Sequence, residues 1–178
     1  MKKILAVLLA VCILWTAGGC FDLGNIYSQP ERKLFYQESY QLQILADETF
    51  REDTGGSFDL QLTNDKSYIS IMAYRYAELP EGTTARDVYD IQNQDIFSKR
   101  DAVTTVMETE TSTLPQGTLI HGVFTAEKDG SMNYYITYLV DLPAQETLAW
   151  VLVTAVPSYY RSNAEHIDNM VASLQGME

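Results

Sequence analysis

Few side chains in this 178-residue sequence have the type and spacing to do chemistry: Cys20, His121, His166, the carboxylate pairs Asp47-Glu48 and Glu52-Asp53, and a set of twelve tyrosines. Cys20 follows Ala17-Gly18-Gly19 at the end of an apolar run, so its sulfur is a nucleophile presented where small residues leave room for an enzyme to reach it. His121 sits in an alternating segment with Leu119 and Val123 on its face. A general base there would need a nucleophile and an orienting carboxylate. No local motif supplies either, and the ordinary reading is a half-buried histidine at a sheet edge. His166 lies beside an apolar helical stripe and is expected at the surface. Two histidines 45 positions apart do not make a zinc set. The two acidic pairs could offer oxygens to calcium, but they lack the spaced Asp/Asn positions and central glycine of an EF-hand and read as a solvated acidic turn. No phosphate-binding glycine loop, dinucleotide fingerprint or Gly-x-Ser-x-Gly elbow occurs, so no cofactor is implied. Tyrosine combines wide apolar contact with a polar tip. Tyr74 and Tyr76, on one expected strand, are the candidate partner-binding residues.

The N-terminal segment decides where this chemistry would take place. Lys2 and Lys3 precede twelve apolar residues, Ile4 to Trp15. At about 1.5 Å per residue these span roughly 18 Å, short of the ~30 Å hydrocarbon core, which fits a secretory signal better than a membrane-spanning helix. Ala17-Gly18-Gly19-Cys20 resembles the lipobox of bacterial lipoproteins, with Ala17 where that family prefers leucine. The resemblance implies cleavage between Gly19 and Cys20 and a diacylglyceryl group on the Cys20 sulfur. The chain would then divide into a signal peptide over 1–19, a lipidated cysteine and tether over 20–33, and one globular domain over 34–178, held at the extracytoplasmic side of the cell membrane. Cys12 would leave with the signal and Cys20 would be consumed by lipid, so the domain could form no disulfide. Lys2 and Lys3 would leave too, setting ten bases against 24 acids and moving the net charge from −12 to −14. Such a chain is repelled by nucleic acid and by anionic headgroups, so acyl chains would have to supply the membrane affinity.

The domain has the patterning of alternating strands and two helices. Tyr40, Leu42 and Ile44 predict a strand within Leu34 to Leu45. Phe58, Leu60 and Leu62 predict a second, and Asn64-Asp65-Lys66 turns it into a third carrying Ile69, Ile71 and Ala73 on one face. Thr84 and Asp87 form a variant capping box that opens a helix to about Lys99. Val103 to Leu114 reads as an exposed strand. Thr118 to Thr125 and Met132 to Val140 flank Asp129-Gly130, a strong hairpin signal. Thr147 to Val156 is apolar on both faces and belongs in the middle of a covered sheet. Ser162-x-x-Glu165 then opens a final helix whose stripe is Ile167, Met170, Val171 and Leu174, with Gly176 beyond its end.

These elements predict an α+β domain: an antiparallel sheet of about seven strands with a helix on each face. A β-sandwich or barrel with a C-terminal helix is the alternative. The element order and the closing segment Ser162 to Leu174 resemble the Mog1/PsbP-like fold, which includes domains of bacterial lipoproteins, a photosystem accessory subunit and a small-GTPase-binding protein. That resemblance implies a non-catalytic binding or accessory role with a protein or peptide partner, and it transfers no site residue. Two other readings stay open on the residues alone: an envelope hydrolase working through His121, and a receptor for a small ligand.

Overall fold

The computed structural model describes residues 31 to 177. Its strands are β1 (Arg32–Gln37), β2 (Leu42–Asp47), β3 (Arg51–Glu52), β4 (Leu60–Thr63), β5 (Ser67–Arg75), β6 (Asp101–Leu114), β7 (Gly117–Lys128), β8 (Ser131–Leu142), β9 (Thr147–Ala155) and β10 (Gln175–Gly176). Its helices are α1 (Ala85–Phe97) and α2 (Pro157–Ala172). Seven strands form an open antiparallel sheet in the order β3-β4-β5-β9-β8-β7-β6, and β1-β2-β10 form a small second sheet. Among the described residues β3 and β6 are the two edges and do not pair with each other, so the larger sheet is open.

The doubly apolar segment sets the arrangement. β9 lies between β5 and β8 and is buried along nearly its whole length. Leu148, Trp150 and Leu152 enter one core with Val88 and Tyr89 of α1. Ala149, Val151 and Val153 enter the other with β2, with Ile167, Met170 and Val171 of α2, and with Leu174 just past its end. A strand that presents large side chains to both sides needs a cover on each, and the two helices supply it.

Local chemistry explains most element boundaries. Thr84 Oγ1 accepts from the Asp87 N–H at 3.2 Å while the Asp87 carboxylate accepts from the Thr84 N–H at 2.8 Å, closing the expected box at the start of α1. Asp129 (φ 52°) and Gly130 (φ 76°) make the tight turn between β7 and β8. Gly122 on β7 has the Tyr89 hydroxyl 2.6 Å from where a Cβ would stand, so only glycine lets that hydroxyl reach Thr137 Oγ1, at 2.8 Å.

Three expectations need correction. The segment 34–45 is a hairpin of the small sheet: β1 and β2 are separated by a 3-10 turn and by Gln41 at φ 53°, and the patterned part begins at Arg32. Arg51–Glu52, read as part of an acidic break, pairs with β4 as the outermost strand of the large sheet. The last helix starts at Pro157, not at Ser162. Proline at its first position lacks the N–H that would go unbonded there, so Ser162 and Glu165 fall inside the helix. Its end is met from afar, Gln116 Nε2 donating to the last helical carbonyl, Ala172 O, at 2.8 Å and to Leu174 O beyond it at 3.0 Å.

Candidate functional site

His121, from β7, lies on the α2 side of the sheet. Its ring stacks on Tyr138 of β8, with centroids 4.4 Å apart and planes 4° from parallel. Tyr138 donates its hydroxyl to Asp168 Oδ1 of α2 at 2.6 Å, and His121 Nε2 stands 3.7 Å from the same oxygen, beyond hydrogen-bonding distance. That nitrogen is buried and has no hydrogen-bond partner among the described residues. Burial lowers the His121 pKa below its ordinary value, against the pull of Asp168 and Glu110. The imidazole is therefore held neutral, with a carboxylate and a phenol near it. Among the described residues no serine, threonine or cysteine hydrogen-bonds to it, so the nucleophile that a hydrolytic base requires is not assembled at this position.

His166 departs from its expected surface position. The ring is mostly buried: Nε2 lies 2.6 Å from Asp47 Oδ1, and Arg32 Nη2 lies 3.2 Å from Nδ1. A guanidinium can only donate, so Nδ1 accepts and Nε2 carries the proton that is donated to Asp47. Asp47, expected in a solvated turn, is 4% exposed at the end of β2. The chain Arg32–His166–Asp47 thus fastens β1 and β2 to α2. The remaining acidic residues of that segment do not gather around a cation: Asp53 instead accepts from the Gly55 N–H and the Gln61 amide at 3.0 and 3.1 Å. Among the described residues no group of three or more Asp, Glu, His or Cys side chains is placed to hold a metal.

Tyr74 and Tyr76 are brought near each other but do different things. Tyr74 is half-buried against the α1-side core, its hydroxyl 3.8 Å from Met72 Sδ, and burial first, then Asp59, pushes its pKa up to about 12. Tyr76 has left the strand for a 3-10 turn and is 38% exposed. Its hydroxyl donates to Asp141, and burial together with that bond keeps the phenol protonated well above the ordinary range. Its ring borders an open recess of about 350 Å³ with Leu79, Pro80, Ala85 and Leu148, at the N-terminal end of α1. Cys20 and Gly19 lie outside the described residues.

A hydrogen-bonded core position was missed in the sequence. Asn93 on α1 is buried, donating to Thr137 Oγ1 at 3.1 Å and accepting from Trp150 Nε1 at 3.3 Å. In sequence its trace is a buried helix face on which Val88 and Tyr89 are followed one turn later by a polar residue.

The class defined by this geometry is an open antiparallel sheet between two helices, the Mog1/PsbP-like fold. Among solved structures it is similar to cyanobacterial PsbP (CyanoP) from Synechocystis, with a TM-score of 0.62 and 10% identity over 89% of this chain and 98% of that one. It is also similar to the Ran-binding protein Mog1p of Saccharomyces cerevisiae, with a TM-score of 0.58 and 9% identity over 84% and 97% of the two chains. A Mog1 mutant gives 0.56 and 11% over 83% and 97%. No protein-family model and no curated protein sequence matches the chain.

Proposed function

We propose that this chain is a lipid-anchored, extracytoplasmic domain that binds a protein partner and performs no catalysis of its own. The anchor is carried by Ala17-Gly18-Gly19-Cys20 behind a short apolar run. One acyl chain binds a bilayer marginally and two bind it stably, so a diacylglyceryl group on Cys20 would suffice for a domain whose acidic charge gives it no affinity of its own for anionic lipid. Binding is supported most directly by the Tyr76 recess, where an exposed ring fixed by Asp141 stands beside apolar residues at a helix end. A yeast protein of the same fold binds Ran, which is consistent with a partner-binding use of this architecture.

Two measurements test the two halves separately. In cells, Cys20→Ala is expected to move the protein out of the membrane fraction or leave it as the uncleaved precursor; a processed protein retained on the membrane rejects the anchor. Surface crosslinking on intact cells is expected to give defined adducts that Tyr76→Ala depletes while the melting profile stays within a few degrees of wild type. Adducts unchanged by Tyr76→Ala reject the recess as the docking site.

A further inference from the structure

At the other end of α1 the sheet is left uncovered, and a groove of about 330 Å³ opens onto β5, β9 and β8. Its floor is Ser70, Leu152 and Thr154, with Tyr135 beneath; Phe58 and Tyr68 wall one side and Ile96 the helix side. Two cations overhang it. Arg100 follows the end of α1, and Lys128 comes from the β7–β8 hairpin.

We infer that this groove is a binding site for a small organic carboxylate carried on an apolar or aromatic body. Charge is the first reason. The sequence has twice as many acids as bases, yet among the described residues no Asp or Glu lines this groove. Each of the other three described recesses contains at least one carboxylate: Glu38, Glu52 and Asp59 in the first, Glu146 in the second, Glu81 and Asp141 beside Tyr76. Three exposed bases elsewhere are paired with carboxylates, in Arg51–Asp65, Arg86–Asp90 and Lys99–Asp95, whereas Lys33, Lys66, Arg75 and Arg161 stand singly among the described residues and line no groove free of acids. Among the described residues neither Arg100 nor Lys128 has an ion pair.

The second reason is the way Arg100 is held. Nε donates to the Tyr135 hydroxyl at 3.0 Å and Nη1 to Lys99 O at 3.0 Å, while Nη2 has no partner among the described residues. The guanidinium is thus fixed in orientation with its Nη2 N–H groups still to be used, and these can meet a carboxylate oxygen in the guanidinium plane. Helix-end complementarity explains a base at position 100 but not Lys128, which arrives from a hairpin. Two unneutralised cations over apolar walls concentrate anions, and the volume lies at the lower end of the roughly 300–1,000 Å³ typical of small-ligand sites. The site stands apart from the partner reading, since Tyr76 is at the opposite end of α1.

The test is an amide-resolved NMR titration of the full-length chain in detergent micelles with 4-hydroxyphenylacetate, using 4-hydroxyphenylacetamide as the neutral isostere. Saturable shifts are expected at Tyr68, Ser70, Leu152 and Thr154, with the amide weaker by about tenfold or more and added salt weakening only the acid. Lys128→Gln alters an exposed side chain without a described bond, so the fold survives, and affinity for the acid is expected to fall several-fold. Arg100→Gln is expected to lower it further. Equal binding of acid and amide, or unchanged affinity in both variants, overturns the assignment. So does the absence of shifts at these four amides, or their appearance only with an acidic peptide such as acetyl-Glu-Phe-Glu-amide, which would make the groove a partner contact. None of these outcomes bears on Cys20 acylation or on the Tyr76 crosslink.

Discussion

The two faces of the large sheet are each covered by one helix, and the helices dock by different chemistry. α2 presents a continuous apolar stripe to a core shared with the small sheet, and its polar edges are clasped by His166, Asp168 and Ser173. α1 buries fewer apolar residues, and its middle is located by Asn93, Tyr89, Thr137 and the Trp150 indole. Apolar contact is strong and tolerant of sliding, whereas a buried hydrogen-bonded network is weaker overall but fixes one position. The sealed face therefore holds the fold together. The other carries a short helix in a fixed place, with a recess open at either end.

Four changes sharpen or break that contrast. The largest effect is expected for Met170→Ala, which empties a fully buried position on the sealed face. A loss of about 2–5 kcal/mol in denaturant unfolding is expected. A loss under about 1 kcal/mol would show that the site collapses freely and that the apolar stripe is not what secures α2. Asn93→Ala is next, at about 1–3 kcal/mol, because it removes the acceptor of the buried Trp150 N–H. The same experiment checks it, and no measurable loss would remove the network from the account.

His121 gives a smaller, pH-dependent effect. Burial holds its folded pKa below the ordinary 6.5, so the unfolded chain takes up the proton first. Its contribution is full above about pH 6.5 and is lost as pH falls through the folded value. Melting temperatures measured from pH 7.5 downward should fall less steeply for His121→Phe than for wild type. Parallel curves would mean that Asp168 and Glu110 cancel the burial. The smallest effect is expected for Tyr76→Phe, at most about 1 kcal/mol, since the lost bond to Asp141 is partly exposed.

How much of this could be read beforehand depended on range. Period-two alternation disclosed β4 and β5, the runs flanking Asp129-Gly130 disclosed β7 and β8, and a segment apolar on both faces disclosed β9 and its place inside the sheet. Asp129-Gly130 and Thr84-Asp87 act through neighbours in sequence, and they ended up where local chemistry puts them. The break between β1 and β2 was hidden because the left-handed residue there is Gln41, without glycine or proline to announce it. Pairings over long distances in sequence were not legible at all. Asp47 and His166 stand 119 residues apart, and Arg100 and Lys128 come to line one groove only through the packing of the end of α1 near the β7–β8 hairpin. The tyrosines were legible as a surplus, but which of them would face solvent was settled by the strand ending before Tyr76.

β6 forms one rim of the large sheet, fourteen residues long and solvent-exposed over most of both surfaces. Its pairing with β7 shifts register three times between Asp101 and Glu110, and Ala102 adopts a left-handed conformation. An even rim of this length would be a template on which a second molecule could zip, strand to strand, into a growing ribbon. The interruptions twist the outward N–H and C=O groups out of a common line, so a foreign strand finds only short stretches in step. The uneven register thus works against copies joining edge to edge along this rim.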